Sequence, residues 1–218
     1  MGCQAGEACG VAYGFVSDYS SRPRIGMKEK TLRNLAFLLL ALLAFAWCHD
    51  RAKADSHCAP RDKPCLVEIF WQVNNDLPDH VYWWLYAQIT AESSWRSDVS
   101  SPYADGLAQF TEATWQDWGR GSVFDPRSAL TAQRLYMGHL VKRHAATLQP
   151  LHFASLGYNA GPGWAIRERR ACQARLGCNP RRWSRHVEKV CLRLASACRE
   201  SRHYIHRIDR LSSQSIGG

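Results

Sequence analysis

His80-Val81-Tyr82-Trp83-Trp84-Leu85-Tyr86-Ala87-Gln88-Ile89-Thr90-Ala91-Glu92-Ser93-Ser94-Trp95 is the stretch from which the fold is read. At helical period, Val81, Leu85, Gln88, Ile89 and Glu92 fall on nearly one stripe. A lone carboxylate thus lies on an apolar helix face, where burial disfavours the charged form and raises its pKa. A carboxylic acid kept partly protonated near neutral pH can give a proton to a leaving group. The plainer reading is a helix-end Glu that reaches back into water. What separates the two is the company Glu92 keeps further along the chain.

Outward from this run, Leu77-Pro78-Asp79 precedes the helix, with Asp79 as the expected N-cap. Ser97 to Gly106 carries Ser, Pro, Asp and Gly and reads as a loop. Leu107 to Trp118 is expected as helix, broken by Gly119-Arg120-Gly121-Ser122. Asp125-Pro126 opens a helical stretch from about Arg127 to Ala146, with Ala129, Ala132, Leu135, Tyr136, His139 and Leu140 along one side. Another helix spans about Leu151 to Asn159 and stops at Ala160-Gly161-Pro162-Gly163. Arg167 to Pro180 reads as a basic loop or short helix, and a final helix as running from about Arg182 to Arg210. Upstream, Asp55 to Pro64 is an irregular lead-in, and Leu66 to Trp71 is either a helix turn or a strand. Strand signals are sparse and no repeat is evident, so the fold class is mainly α.

The chain has 218 residues, enough for one ordinary domain with extra segments, and 46% of them are hydrophobic, enough for a core. Residues 27–54 read as a signal peptide: a net basic Met27 to Arg33, a charge-free apolar run from Leu35 to Trp47, and Ala52-Lys53-Ala54 as a small-residue cleavage pattern. The apolar run is 13 residues, whereas a stable membrane span wants roughly 20. Export to the periplasm or the extracellular side is therefore expected, with a retained inner-membrane signal anchor as the alternative. Residues 1–26 fit a disordered leader or an untranslated upstream segment. Residues 55–75 are expected as a cysteine-bearing lead-in, residues 76–210 as the main domain that carries Glu92, and residues 211–218 as a disordered tail.

Cys58, Cys65, Cys172, Cys178, Cys191 and Cys198 follow the expected cleavage point. An even set in an exported domain reads as a disulfide framework, and six cysteines allow 15 pairings. Cys58 is expected to close on Cys65. On one continuous helix, Cys191 and Cys198 would stand about 10 Å apart, too far to bridge, so each is expected to bond to Cys172 or Cys178. No C-x-x-C spacing supports a metal site, and neither a metal nor a cofactor is expected.

Charge is uneven. From Gly161 onward there are 13 Lys and Arg against 4 Asp and Glu, a balance of +9; from Asp55 to Ala160 there are 8 against 11, a balance of −3. An Arg-rich solvated face is the plain explanation. The functional one is attraction to an anionic envelope polymer or surface. No nucleic-acid recognition module has the needed spacing, so no nucleic acid is expected as a partner.

Three further clusters follow Glu92-Ser93-Ser94-Trp95 in order. They are Gly106-Leu107-Ala108-Gln109, Gly157-Tyr158-Asn159-Ala160-Gly161, and Glu200-Ser201-Arg202-His203-Tyr204-Ile205. Each is weak alone, because a turn, a helix stop or a helix face would explain it. In this order and spacing the chain resembles the soluble-lytic-transglycosylase family, whose pattern is Glu-Ser-x-aromatic, Gly-Leu-Met-Gln, Ala-Tyr-Asn-Ala-Gly and Glu-Thr-x-x-Tyr-Val. The resemblance covers roughly Val81 to Ile208. Ala108 stands for the usual Met, Thr111-Glu112 for Met-Pro, Gly157 for Ala and Ser201 for Thr. The cysteine-bearing insertion around Cys172 to Pro180 is outside the general pattern.

The resemblance implies a lysozyme-like, mainly α catalytic domain, here stapled by disulfides. It implies cleavage of the bond between N-acetylmuramic acid and N-acetylglucosamine in peptidoglycan glycan strands with formation of 1,6-anhydro ends, with Glu92 as the catalytic acid and then base; a monomer is expected. Ser93, Gln109, Tyr158, Asn159 and Tyr204 are carried over as substrate-binding candidates. The substrate's own acetamido group can stand in for a second carboxylate. Two rivals share the pattern. A goose-type hydrolytic muramidase needs an acid that activates water; Thr111 occupies the position where such enzymes tend to carry one, which leaves Asp98 and Asp105. A non-catalytic peptidoglycan-binding relative would have no need to keep Glu92.

Overall fold

The computed structural model of the chain describes residues 58–216 and, apart from these, Leu40. The leader, the signal segment 27–54 and the lead-in up to residue 57 otherwise lie outside the described residues. Among residues 58–216 seven α-helices follow one another: α1 (Lys63–Asn74), α2 (Asp79–Glu92), α3 (Glu112–Trp118), α4 (Pro126–Arg143), α5 (Pro150–Ala160), α6 (Pro162–Gln173) and α7 (Ala195–Ile216). A 3-10 turn, Val187–Lys189, precedes α7, and the described residues contain two isolated β-bridges in place of strands. The mainly α class is what the fold has. No helix among the described residues is long and apolar enough to cross a membrane.

The ambiguous run Leu66 to Trp71 is helix, within α1. The Asp62 carboxylate accepts from the Cys65 backbone N–H at 3.3 Å, which caps α1, and Leu66, Ile69 and Phe70 bury one face of it at the i, i+3, i+4 spacing. The disulfide Cys58–Cys65 ties the lead-in to this first turn, as expected. α2 starts one residue earlier than its expected cap allows. Pro78 is the N-cap, Asp79 is already helical, and no side chain caps the end. α2 is central, packed most extensively on α7, so Trp84 and Ala87 are buried as well as Leu85, Gln88 and Ile89. The indole N–H of Trp84 donates to Ser155 Oγ on α5 at 2.9 Å, which fixes α2 against α5.

Leu107 to Phe110 is not helical. Asp105 and Phe110 exchange backbone hydrogen bonds at 3.0 Å each way, and both Gly106 (φ +75°) and Gln109 (φ +49°) are left-handed. Only from Thr111, whose hydroxyl oxygen accepts from the Thr114 N–H at 3.3 Å, does α3 begin. α4 opens where expected, with Asp125 accepting from the Ser128 N–H at 2.8 Å and Pro126 in the first turn. Its buried stripe differs from the expected one: Gln133 and Met137 face inward, while Leu135 and His139 are exposed. His139 covers Trp118 at 5.0 Å instead.

The largest departure lies in the expected final helix. Residues from Arg182 to Leu194 are irregular apart from the 3-10 turn, and α7 runs from Ala195 on to Ile216, into the stretch expected as a tail. Trp183, Val187 and Val190 are buried at spacings of four and three, which imitates a helical stripe. What breaks the helix is local: Gln149 Oε1 accepts from the N–H groups of Trp183 and Ser184, and Arg185 is left-handed (φ +64°). The disulfide pairing follows from this. Cys191 lies before α7, so its Cα comes within 5.9 Å of that of Cys198 and the two bridge each other. Cys172 pairs with Cys178. The expectation that each would cross-link to the other pair fails because it assumed one continuous helix.

Candidate active site

Glu92 is the last residue of α2, and α7 meets it there. The Tyr204 hydroxyl donates a short hydrogen bond to Glu92 Oε1. One turn back on α2, Gln88 Nε2 donates to the Tyr204 oxygen at 3.0 Å. Gln133 on α4 in turn donates from Nε2 to Gln88 Oε1 at 2.9 Å and to the Leu85 carbonyl at 3.1 Å. Each bond orients the next. Because Gln88 Oε1 accepts from Gln133, the Gln88 amide N–H must face Tyr204. Because the phenol oxygen accepts that N–H, its own proton is left for Glu92. Glu92 Oε2 has no hydrogen-bond partner among the described residues, so it is the oxygen that can carry and release a proton.

Glu92 keeps part of its surface open, yet its carboxyl sits among enough protein atoms that desolvation dominates. Burial pushes its pKa up to about 8, against the opposing pull of the Tyr204 hydrogen bond and the nearby Arg207 cation. Arg207, one turn beyond Tyr204 on α7, donates to the carbonyls of Ala91 and Thr90 at 3.3 Å each and so caps the end of α2. Past Glu92 the chain turns sharply through two left-handed residues, Ser94 (φ 54°) and Trp95 (φ 63°). For a bulky residue that conformation is strained. The Trp95 side chain holds it: it is buried against Phe70 and Tyr86, and its indole N–H donates to Thr90 Oγ1 at 2.9 Å.

The second wall is the loop carrying Gly106 to Phe110. Gly106 is required there, since a Cβ would lie 2.2 Å from the Val123 carbonyl oxygen and the backbone is left-handed. Tyr158 on α5 donates its hydroxyl to the Ala108 carbonyl at 2.7 Å and packs on Phe110 and Tyr136. Burial, then the charge of Glu92, raises the Tyr158 pKa well above its usual value, as both also do for Tyr204. Gln109 is turned partly into its own loop, with Nε2 donating to the Gly106 carbonyl at 2.9 Å.

Asn159 is exposed at the end of α5, and its Oδ1 accepts from Ser201 Oγ at 2.6 Å. Ser201 lies three residues before Tyr204 on α7, about 4.5 Å along the axis, so Asn159 and Glu92 are held by adjacent turns of one helix. Arg193 braces this contact. It donates from Nη1 to Ser201 Oγ at 3.0 Å and from Nε to the buried Glu168 at 3.2 Å. Ser93 stands apart from the other expected residues. It is buried, its Oγ accepts from the Arg96 N–H at 3.3 Å, and it closes the turn after α2 rather than lining a cleft.

Bonds therefore link Glu92 to Tyr204, Tyr158 to the Gly106–Phe110 loop, and Asn159 to the same helix as Tyr204. Gln133, Arg193 and Arg207 belong to this frame and were not among the expected site residues. Of these only Arg207 leaves a trace in the sequence, as a cation three residues after Tyr204. The two alternative acids are engaged elsewhere: Asp98 pairs with Arg61 at 3.1 Å, and Asp105 accepts from Ser100 Oγ at 2.5 Å.

Residues 71–177 match the family model described as Transglycosylase SLT domain. No curated protein matches the chain. The matched span holds Glu92, Gln109, Tyr158 and Asn159; Tyr204 and Arg207, which touch the acid and its helix, lie beyond it.

Proposed function

Because the chain carries a transglycosylase SLT domain, we propose that it is a peptidoglycan lytic transglycosylase. It cuts the β-1,4 bond between N-acetylmuramic acid and N-acetylglucosamine and leaves 1,6-anhydromuramoyl ends. The observation that carries this reading is the carboxyl of Glu92, bonded through one oxygen to Tyr204 and raised by burial to a pKa of about 8. At neutral pH such a group is mostly protonated and serves as a general acid.

Glu92 gives its proton to the bridging oxygen as the bond from that oxygen to the muramoyl anomeric carbon breaks. The neighbouring acetamido oxygen attacks the anomeric carbon and carries the positive charge that develops. The Glu92 carboxylate, now anionic in a poorly hydrated site, takes the proton from the muramoyl C6 hydroxyl. The C6 oxygen displaces the acetamido oxygen and closes the anhydro ring. The proton count balances, Glu92 ends as it began, and no water is consumed. The acetamido participation makes a second carboxylate unnecessary, which accords with Asp98 and Asp105 being engaged elsewhere.

Tyr204 holds Oε1 and leaves Oε2 without a partner among the described residues. The Asn159 amide N–H groups and the outer face of Gln109 are offered to the N-acetyl arms, while Tyr158 fixes the loop that Gln109 rides on. Ser93 acts by shaping the turn.

Mass analysis of muropeptides released from purified sacculi tests the reading. Fragments lighter by one water than their hydrolysed counterparts are expected. Reducing ends would instead establish a muramidase of the hydrolytic kind, and sacculus binding without release a non-catalytic relative. Glu92→Gln is expected to lower release by about 10³-fold with sacculus binding retained, and undiminished release by this variant removes Glu92 from its role.

A further inference from the structure

Between α6 and α7 the chain makes a basic excursion. Between Gln173 and Ala195 it has six Lys and Arg against one carboxylate, Glu188. That carboxylate is spoken for: one oxygen accepts from the Arg185 backbone N–H and the other pairs with His206 at 3.0 Å. Two clefts open on this segment. One, of about 210 Å³, is lined by Arg175, Leu176, Arg185 and Lys189; the next, of about 310 Å³, by Leu148, Arg182 and again Arg185. Since Arg185 borders both, the clefts form one continuous face.

Two properties of this face matter together. The side chains of Arg175, Arg182, Arg185 and Lys189 are exposed, and none makes a hydrogen bond or ion pair among the described residues. At its two ends stand bare leucines: Leu176 is 107% exposed and Leu148 51%. The Cys172–Cys178 disulfide and left-handed Gly177 hold Leu176 on a short closed loop. Unpaired cations alone would suit any polyanion. Leucines held out at either end of the cations gain nothing from a solvated polymer, whereas in the headgroup region of a bilayer they leave water while the cations meet phosphates. Each cleft has room for a headgroup phosphate with several waters, at roughly 30 Å³ a water.

We propose that the face from Leu176 through Arg175, Lys189, Arg185 and Arg182 to Leu148 docks on an anionic phospholipid surface, with phosphates in the two clefts and Leu176 in the interface. This gives the disulfide-closed insertion between α6 and α7 a task separate from the chemistry at Glu92, and it stands whether or not the glycan reaction is the one proposed.

Flotation of the full chain with phosphatidylcholine vesicles, made with and without phosphatidylglycerol, tests it. The apolar run Leu35 to Trp47 and its basic flank Met27 to Arg33 contribute equally to every variant, so the change between variants in the ratio of the two partition coefficients is the readout. A Lys or Arg near an anionic surface contributes about fivefold. Arg175→Glu/Arg185→Glu/Lys189→Glu is therefore expected to lower the ratio on the order of 100-fold, with far-ultraviolet circular dichroism and release from soluble glycan fragments at the level of the unaltered chain. Leu176→Asp is expected to lower it about tenfold. A ratio unchanged by the triple reversal overturns the proposal. So does a ratio indifferent to Leu176→Asp together with full displacement by soluble polyphosphate, which would make the face a site for soluble polyanions.

Discussion

Around Glu92 the polar side chains are buried and each hydrogen bond fixes the next, from Gln133 to Gln88 to Tyr204 to the acid. Between Gln173 and Ala195 the cations other than Arg193 stand in water, and closed loops of six and seven residues' separation hold the backbone. The first region gains its rigidity from the core it is sunk in, and the cost is a carboxylate that the fold disfavours in its charged form. The second has only Trp183, Val187 and Val190 to bury, and cross-links take over where apolar area runs short. One chain thus contains a site whose chemistry depends on exclusion of water and a face whose character depends on contact with it.

The largest expected break in this comparison is in stability against pH. Glu92 titrates near 4.5 in the unfolded chain and near 8 in the folded one. A folded pKa above the unfolded value means that the folded state binds the proton more tightly. Below about pH 4.5 both states are protonated and the site costs nothing; as pH rises through the window from 4.5 to 8 the fold loses stability, and above 8 the loss is complete. Glu92→Gln, which cannot ionise, should therefore stabilise the protein by about 5 kcal/mol above pH 8 and scarcely at all at pH 4. Thermal melts across that range check this, and a stability difference that does not grow with pH would put the carboxyl in water.

A smaller effect is expected in the other region. Cys191→Ser/Cys198→Ser opens a loop whose closure is worth about 2 kcal/mol. It also loosens Arg193, which lies inside that loop and braces Ser201 against Asn159. Loss of stability with KM raised and kcat little changed is the expected pattern. A fall in kcat alone would mean that the strap acts on Glu92 rather than on Asn159.

The smallest effect sharpens the frame of the acid. Tyr204→Phe removes the hydrogen bond that pulls the Glu92 pKa down, so the alkaline limb of kcat/KM should move above pH 8, with activity at neutral pH lowered about tenfold. A limb that stays in place would mean that Tyr204 only packs.

Local signals in the sequence carried much of this. The stripe ending in Glu92 is legible because α2 is regular and its neighbours at three and four residues share a face. Asp125-Pro126 is legible because a cap is a local device. The segment from Arg182 to Leu194 misleads because Trp183, Val187 and Val190 bury themselves at helical spacing without a helix. Leu107 to Phe110 misleads because the bridge to Asp105 and the left-handed turns at Gly106 and Gln109 are invisible to periodicity. Gln133 was out of reach for another reason: its partner Gln88 lies 45 residues away, and nothing in its own neighbourhood distinguishes it from a surface Gln. The inward turn of Met137 in place of Leu135 is likewise a matter of which helix lies opposite.

The acid and the phenol that grips it are separated by 112 residues. Synthesis has to run that far past Glu92 before its partner exists, and α7 has then to dock along α2 before the pair can form. A nascent chain, or one stopped short of Tyr204, carries the acid without its holder.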